Sequence, residues 1–358
     1  MTRARTIVNP GALNLRVGEL VEVLSEAEIM ATLDEKGELE ELPFMPEMLA
    51  FCGRRLTVHK VAHKLCDTIS HTGMRRMERA VHLTGARCDG QAHGGCQTAC
   101  LIYWKEAWLK RADPGDSPAA AAPDDAAADG GARDLAAPAG PGGLAAGRRL
   151  LPIVEGAARK ELGPDGEERF SCQATELLRA APTCLPLKDV RQYVMDVRTG
   201  NAGMFFTLRA FLVGLFNRFQ DRSRHALPSW LRIREGLRWG FVKGRLAGAT
   251  PSDILDLQPG ELVRIKSKEE IVKTLNQDLL NRGMGFEEEM SRYCGQTARV
   301  LSRVDRCIDE RTGRMLQMKN PCIVLEGIVC AGAYTVSCPR EFIPFWREIW
   351  LERIEEPT

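Results

Sequence analysis

No stretch of the sequence approaches the roughly 18 consecutive apolar residues that a membrane-spanning helix needs. Excess charge of either sign is also missing. The 49 Lys and Arg residues face 48 Asp and Glu, for a net charge of +1, so no global field draws the chain to nucleic acid or to a membrane surface. Met1–Pro10 carries two arginines but no apolar core of a signal sequence. These absences predict a cytoplasmic protein with no membrane partner and argue against nucleic acid as its main partner. Motifs are missing too. There is no glycine-rich phosphate loop, no dinucleotide fingerprint and no serine-hydrolase elbow. No two cysteines stand with two residues between them, the usual spacing of a zinc knuckle.

Cysteine itself is plentiful, at 12 of 358 residues. An apolar content of 44% and a charged content of 27% are those of a globular protein, and the length allows two or three domains with real cores. A reducing compartment disfavours disulfides, which gives metal binding or catalysis more weight. Free cysteine as a small buried hydrophobe accounts for scattered cysteines. It does not account for cysteines at matched positions of a repeat, and the sequence contains one.

Residues 18–111 align with 260–353 at a constant offset of 242, without a gap and with 26 identities in 94 positions. Gly18-Glu19-Leu20-Val21 meets Gly260-Glu261-Leu262-Val263. Phe44, Glu47, Met48, Cys52 and Gly53 meet Phe286, Glu289, Met290, Cys294 and Gly295. Cys88, Gly90 and Cys96 meet Cys330, Gly332 and Cys338, and Trp104, Glu106 and Trp108 meet Trp346, Glu348 and Trp350. Self-similarity on this scale marks a repeated structural unit. Each copy reads as a short strand, then a helix opened by a capping box (Ser25 to Glu28, Ser267 to Glu270). Two strand-like runs follow, Leu56–Leu65 and Ala80–Leu83 in copy one, Ala298–Cys307 and Cys322–Leu325 in copy two. A glycine- and cysteine-bearing loop leads to a last helix that packs its two tryptophans. The fold class expected is α+β, with tandem small open β-barrel modules similar in plan to Src-homology-3 and KOW modules.

Four regions follow: a cysteine-rich module over 1–111, a disordered Ala/Pro/Gly linker over 112–149, a basic and largely helical middle region over 150–259, and the second module over 260–358. Within the middle region Ser171–Ala180 and Met204–Phe219 read as helices. Arg232, Arg234, Arg238, Lys243 and Arg245 form a basic set suited to an anionic or phosphate-bearing ligand or to RNA; the blander reading is a solvated face.

Cys52, Cys88 and Cys96, matched by Cys294, Cys330 and Cys338, are read as metal ligands, with Cys100 or His93 completing the set in copy one. Copy two has Phe342 and Thr335 at those two places. An iron–sulfur cluster in each module is the first expectation because its core tolerates loose cysteine spacing; zinc is the second. The cluster reading implies redox or cluster-dependent catalysis, as an oxidoreductase or lyase, with an electron-donor protein as partner. The zinc reading implies a binding or scaffold protein without catalysis. A thiolate–imidazole pair of Cys88 or Cys96 with His93 is a weaker alternative. His59, His63, His71, His82 and His225 are read as surface or hydrogen-bonded residues.

Overall fold

The computed structural model describes residues 12–112, 150–241, 244 and 246–354. The expected linker beyond Ala112, together with Lys243 and Arg245 of the basic set, lies outside the described residues. The protein is α+β, with several small antiparallel sheets and few helices. Its described residues divide into two compact units, one of 12–112, 150–201 and 306–317, the other of 202–305 and 318–354.

In the first unit, β1 (Leu20–Val23) buries Val21 and Val23 on one face. The Ser25 side chain then caps α1 (Glu26–Met30), accepting from the Glu28 amide while the Glu28 carboxylate accepts from the Ser25 amide at 2.9 Å. β2 (Glu38–Leu39) and β3 (Leu42–Pro43) form a short hairpin, and a 3-10 turn over Pro46–Phe51 leads to β4 (Arg55–Val61). β5 (Lys64–Cys66), β6 (Met74–Arg76) and β7 (Ala80–Leu83) follow. The run expected over Leu56–Leu65 is thus broken at Ala62-His63. β4 pairs with β7, whereas β5 pairs with β6 in a separate sheet.

The expected terminal helix is not formed. Its place is taken by β8 (Trp104–Lys105), one 3-10 turn (Glu106–Trp108) and β9 (Leu109–Arg111). The sheet order is β8-β7-β4-β1-β9, so a single turn carries the chain from one sheet edge to the other, and backbone pairing with both β7 and β1 outweighs local helix preference. Trp104 and Trp108 are still core residues. Phe44 stacks edge-on against both rings at 6.3 and 5.3 Å, and the Trp108 indole donates to Thr32 Oγ1 at 3.1 Å. Leu13, Asn14 and Leu15 donate their amides to the Glu106 carboxylate at 2.8, 3.3 and 3.3 Å, pinning the chain ahead of β1.

The unit is completed by α2 (Leu151–Ala157), α3 (Leu177–Ala180), β10 (Cys184–Leu185) and α4 (Arg191–Thr199). The helix expected over Ser171–Ala180 contracts to α3, since Cys172 and Thr175 tie the preceding segment into turns. β10 adds to β6 and β5. Residues 306–317 bond into this unit: the Gln97 amide donates to the Arg306 carbonyl at 3.2 Å, and the Phe170 amide to the Gly313 carbonyl at 2.8 Å.

The second unit opens with α5 (Met204–Ala226), two turns longer than the apolar run alone suggests. Then come β11 (Leu262–Ile265), α6 (Lys268–Val272), β12 (Leu280–Asn281), β13 (Met284–Gly285), a 3-10 turn over Glu288–Arg292, β14 (Thr297–Ile308), β15 (Met315–Leu325), a 3-10 turn over Glu348–Trp350, and β16 (Leu351–Arg353). The sheet order is β15-β14-β11-β16. Leu262 pairs with Arg299 and Val263 with Arg353, as Leu20 pairs with Thr57 and Val21 with Arg111. Leu255, Asp256 and Leu257 donate to Glu348 at 2.9, 3.3 and 3.0 Å, and Trp350 donates to Thr274 at 2.9 Å. Among the described residues, no helix is long and apolar enough to cross a membrane.

Candidate metal centre

Three segments of the first unit meet beside the core. The 3-10 turn at Pro46–Phe51 carries Glu47, the chain leaving β7 carries Cys88, and a 3-10 turn over Gln91–His93 carries His93. The loop from Cys88 to Cys100 closes on itself, with the Cys88 amide donating to the Cys100 carbonyl at 2.9 Å and the Arg87 guanidinium to Ala99 at 2.9 Å. Glycine is required at its base. Gly90 has φ of 71°, and a Cβ there would lie 1.8 Å from the Cys96 carbonyl oxygen. Gly94, at φ 65°, ends the His93 turn in the same left-handed region.

Glu47 Oε1 joins the other two side chains. The Cys88 thiol donates to it at 2.8 Å, and His93 Nε2 lies 3.2 Å away. The ligand atoms of Glu47, Cys88 and His93 all fall within 4.8 Å of one another, the one such group of three among the described residues. The His93 side chain is 1% exposed and that of Glu47 5%. Two buried polar atoms of the group have no hydrogen-bond partner, Glu47 Oε2 and His93 Nδ1, and a buried orphan acceptor costs about 1–3 kcal/mol unless something binds it. Burial raises the Glu47 carboxyl, but the hydrogen bond and charge of His93 and the Cys88 thiol outweigh it, leaving the group below its ordinary range. Burial and then Glu47 push the Cys88 thiol well above its ordinary value, the opposite of what a nucleophilic thiolate needs. The neighbouring thiols of Cys100 and Cys172 act on Cys88 in the same direction.

Of the residues expected as ligands, Cys88 and His93 are brought together. Neither Cys52–Cys88–Cys96 nor Cys294–Cys330–Cys338 forms a group within 4.8 Å. Cys52 caps the Pro46–Phe51 turn and packs against the core, where burial and then Glu26 push its thiol up to about 11. Cys96 bonds Thr98 at 3.2 Å. The fourth thiol of this neighbourhood comes from outside the repeat: Cys172 is buried, its thiol pushed up to about 11 chiefly by burial, with a further push from Cys96. Glu47 was not read as a ligand from the sequence, although it is an identity of the repeat; a search weighted to Cys and His passes over a carboxylate.

The matching loop in copy two keeps the backbone and changes the chemistry. The Cys330 amide donates to Phe342 at 2.7 Å, Gly332 approaches Cys338 as Gly90 approaches Cys96, and Val336 and Ser337 hold φ of 56° and 57° where Gly94 and Gly95 stand. Thr335 replaces His93, its hydroxyl buried without a partner. Glu289 accepts from the Tyr334 amide at 2.6 Å and pairs with Arg292 at 3.1 Å. Position 50, the counterpart of Arg292, is alanine. Cys294 is pushed up to about 11 by burial against the opposing charge of Lys268. Burial and Glu289 raise Cys330 further. Cys307 and Cys322 lie in β14 and β15, and Cys322 is buried against Met318 and Met284. Of the basic set, Arg238 is engaged by Asp221 at 2.8 Å and Arg232 by the Leu227 carbonyl at 2.8 Å, while Arg234 stacks over Trp239 at 5.6 Å. No protein-family model matches the chain, and no curated protein or solved structure is similar to it.

Proposed function

We propose that the protein is a metal-stabilised tandem-barrel binding or scaffold protein whose first module holds one zinc-class ion on Glu47, Cys88 and His93. The observation that carries this is the convergence of a carboxylate, a thiol and an imidazole in a buried site with two orphaned polar atoms. A mixed O, S and N ligand set suits zinc. Burial of the site favours a structural role over turnover. The comparison between copies adds support. In copy two the guanidinium of Arg292 supplies Glu289 with a positive charge. In copy one position 50 is alanine, and Glu47 has His93 beside it and Oε2 without a partner, where a cation shared with Cys88 and His93 would sit.

We also infer that 18–111 and 260–353 are two copies of one open, Src-homology-3-like barrel. The shared run of four strands, β7-β4-β1-β9 within a five-stranded sheet and β15-β14-β11-β16 in a four-stranded one, supports it, as do the matching registers of β1 and β11 at a constant offset and the single turn ahead of β9 and β16. An iron–sulfur cluster, with redox or lyase chemistry and an electron donor, is the alternative reading; among the described residues no three thiols lie within 4.8 Å of one another.

Metal analysis of anaerobically purified full-length protein separates the readings. One zinc per chain is expected, lost in Cys88→Ser and in His93→Ala and kept in Cys330→Ser. A brown sample with iron and acid-labile sulfide would replace the zinc reading with the cluster reading. A metal-free sample that takes up no added zinc would remove both.

A further inference from the structure

The α5 helix of the second unit buries Thr207, Ala210, Val213, Gly214, Gln220 and Ser223. Its other side is apolar and open to solvent: Met204, Phe205, Leu208, Leu212, Leu215 and Phe219 are all exposed, Phe205 by 84%. At about 100° per residue these six fall in one arc of about 100° running the length of the helix. Together they expose roughly 600 Å² of apolar surface, at or above the largest patch expected on a monomer. The arc has a basic border. Arg209 lies beyond one edge, Arg218 beyond the other, and Arg222 continues it at the C-terminal end, all three exposed. The one acid in the helix, Asp221, is occupied by a two-pronged bond to Arg238 at 2.8 and 2.9 Å. Just past the helix Trp230 is 80% exposed, and Leu231 and Ile233 are also open to solvent, with exposed Arg234 beside them.

We propose that this face of α5 lies in the plane of an anionic lipid surface. The apolar arc enters the boundary between headgroups and acyl chains, and the bordering arginines meet the headgroup charge. An interfacial helix needs an apolar face, a cationic flank and aromatic or leucine side chains; it needs neither a long apolar run nor a net charge on the whole chain. The sequence features that argue against a membrane partner exclude only spanning and global attraction. The border also chooses among occupants. A second copy docked face to face would set Arg209, Arg218 and Arg222 against their own kind, whereas acidic lipid neutralises them. The proposal is independent of the metal site.

Flotation of the full-length protein with vesicles tests it. Binding to phosphatidylcholine vesicles containing 30% phosphatidylserine is expected, at least about ten-fold stronger than to phosphatidylcholine alone, and weakened by salt. Arg218→Gln and Arg222→Gln should each weaken it about five-fold. Phe205→Ser with Leu212→Ser should weaken it at least about ten-fold without changing the thermal unfolding midpoint, because both side chains are exposed. Failure to bind acidic vesicles at low salt overturns the proposal, as does full binding by the double variant. A micromolar dimer that the double variant dissolves would assign the face to a second copy instead.

Discussion

Replacing Lys64 by methionine tests what holds α4 to the first unit. Lys64 Nζ lies 2.5 Å from Asp196 Oδ2, and both side chains are 0% exposed. His63 Nε2 stands 3.3 Å from the other carboxylate oxygen, and the Tyr193 ring lies 5.5 Å from the ammonium. Methionine keeps most of the lysine stem and removes the charge, leaving the Asp196 carboxylate in the interior with the His63 ring 3.3 Å away. Breaking one side of a buried pair costs about 3–5 kcal/mol. A loss of about 3–5 kcal/mol is therefore expected. Removing both charges in Lys64→Met with Asp196→Leu should cost under about 1 kcal/mol, because the desolvation of two ions goes with them. Urea unfolding gives the global change, and amide exchange in β5 and α4 reads it locally. A single variant within about 1 kcal/mol of the parent, or a double variant as unstable as the single one, would refute the reasoning.

The Glu106 carboxylate receives three backbone N–H groups. Glu106→Ala should therefore destabilise the first unit by about 2–4 kcal/mol in urea, and Glu106→Gln, which keeps an acceptor, by clearly less. Burial pushes the Glu288 carboxyl up to about 8, against the opposing pull of Arg238 and with Glu287, Glu289 and Asp221 adding to the rise. A raised folded value means the fold holds the proton. That stability is complete below the unfolded value of 4.5 and is lost as pH rises through 8. Glu288→Gln should flatten the fall in second-unit stability between these limits, and an unchanged pH profile would count against the assignment.

Several elements were legible because their signals are local. The capping boxes at Ser25 and Ser267 and the alternation of Val21 and Val23 need only neighbouring residues, and α1, α6, β1 and β11 stand where those signals put them. The end of each repeat was misread for the same reason. Tryptophans at i and i+4 share a face on a helix, but they also both reach the core from two strands joined by one turn, and only the partners of those strands distinguish the cases. Trp104 pairs with Val81, while Leu109 pairs with Val23 far earlier in the chain. The role of Glu106 was hidden likewise. Its partners, Leu13, Asn14 and Leu15, precede the aligned segment; Leu13 and Leu15 match Leu255 and Leu257 at the same offset of 242, but Arg16-Val17 against Gln258-Pro259 breaks the run before Gly18, and the bonds are made by backbone amides that no side chain marks.

At the candidate site the two matched segments of sequence share a loop backbone and surround it with different side chains. Gly90 and Gly332 remain because a side chain at either would collide with the cysteine six residues on, and Cys88 and Cys330 remain at the mouth of the same loop. Glu47 and Glu289 occupy matching turns, yet their surroundings solve the problem of a buried carboxylate differently. One has Cys88 and His93 at 2.8 and 3.2 Å; the other has a backbone amide at 2.6 Å and Arg292 at 3.1 Å. Cysteine matching alone treats the copies as equal sites. The residues that separate them are His93 against Thr335 and Ala50 against Arg292, two substitutions that in sequence lie apart and in the fold act on one carboxylate. Placing arginine at Ala50 with threonine at His93 would carry the copy-two solution into copy one. The double variant should keep its fold and lose its metal; retention of one zinc per chain would mean that the ion is held elsewhere, among Cys96, Cys100 and Cys172.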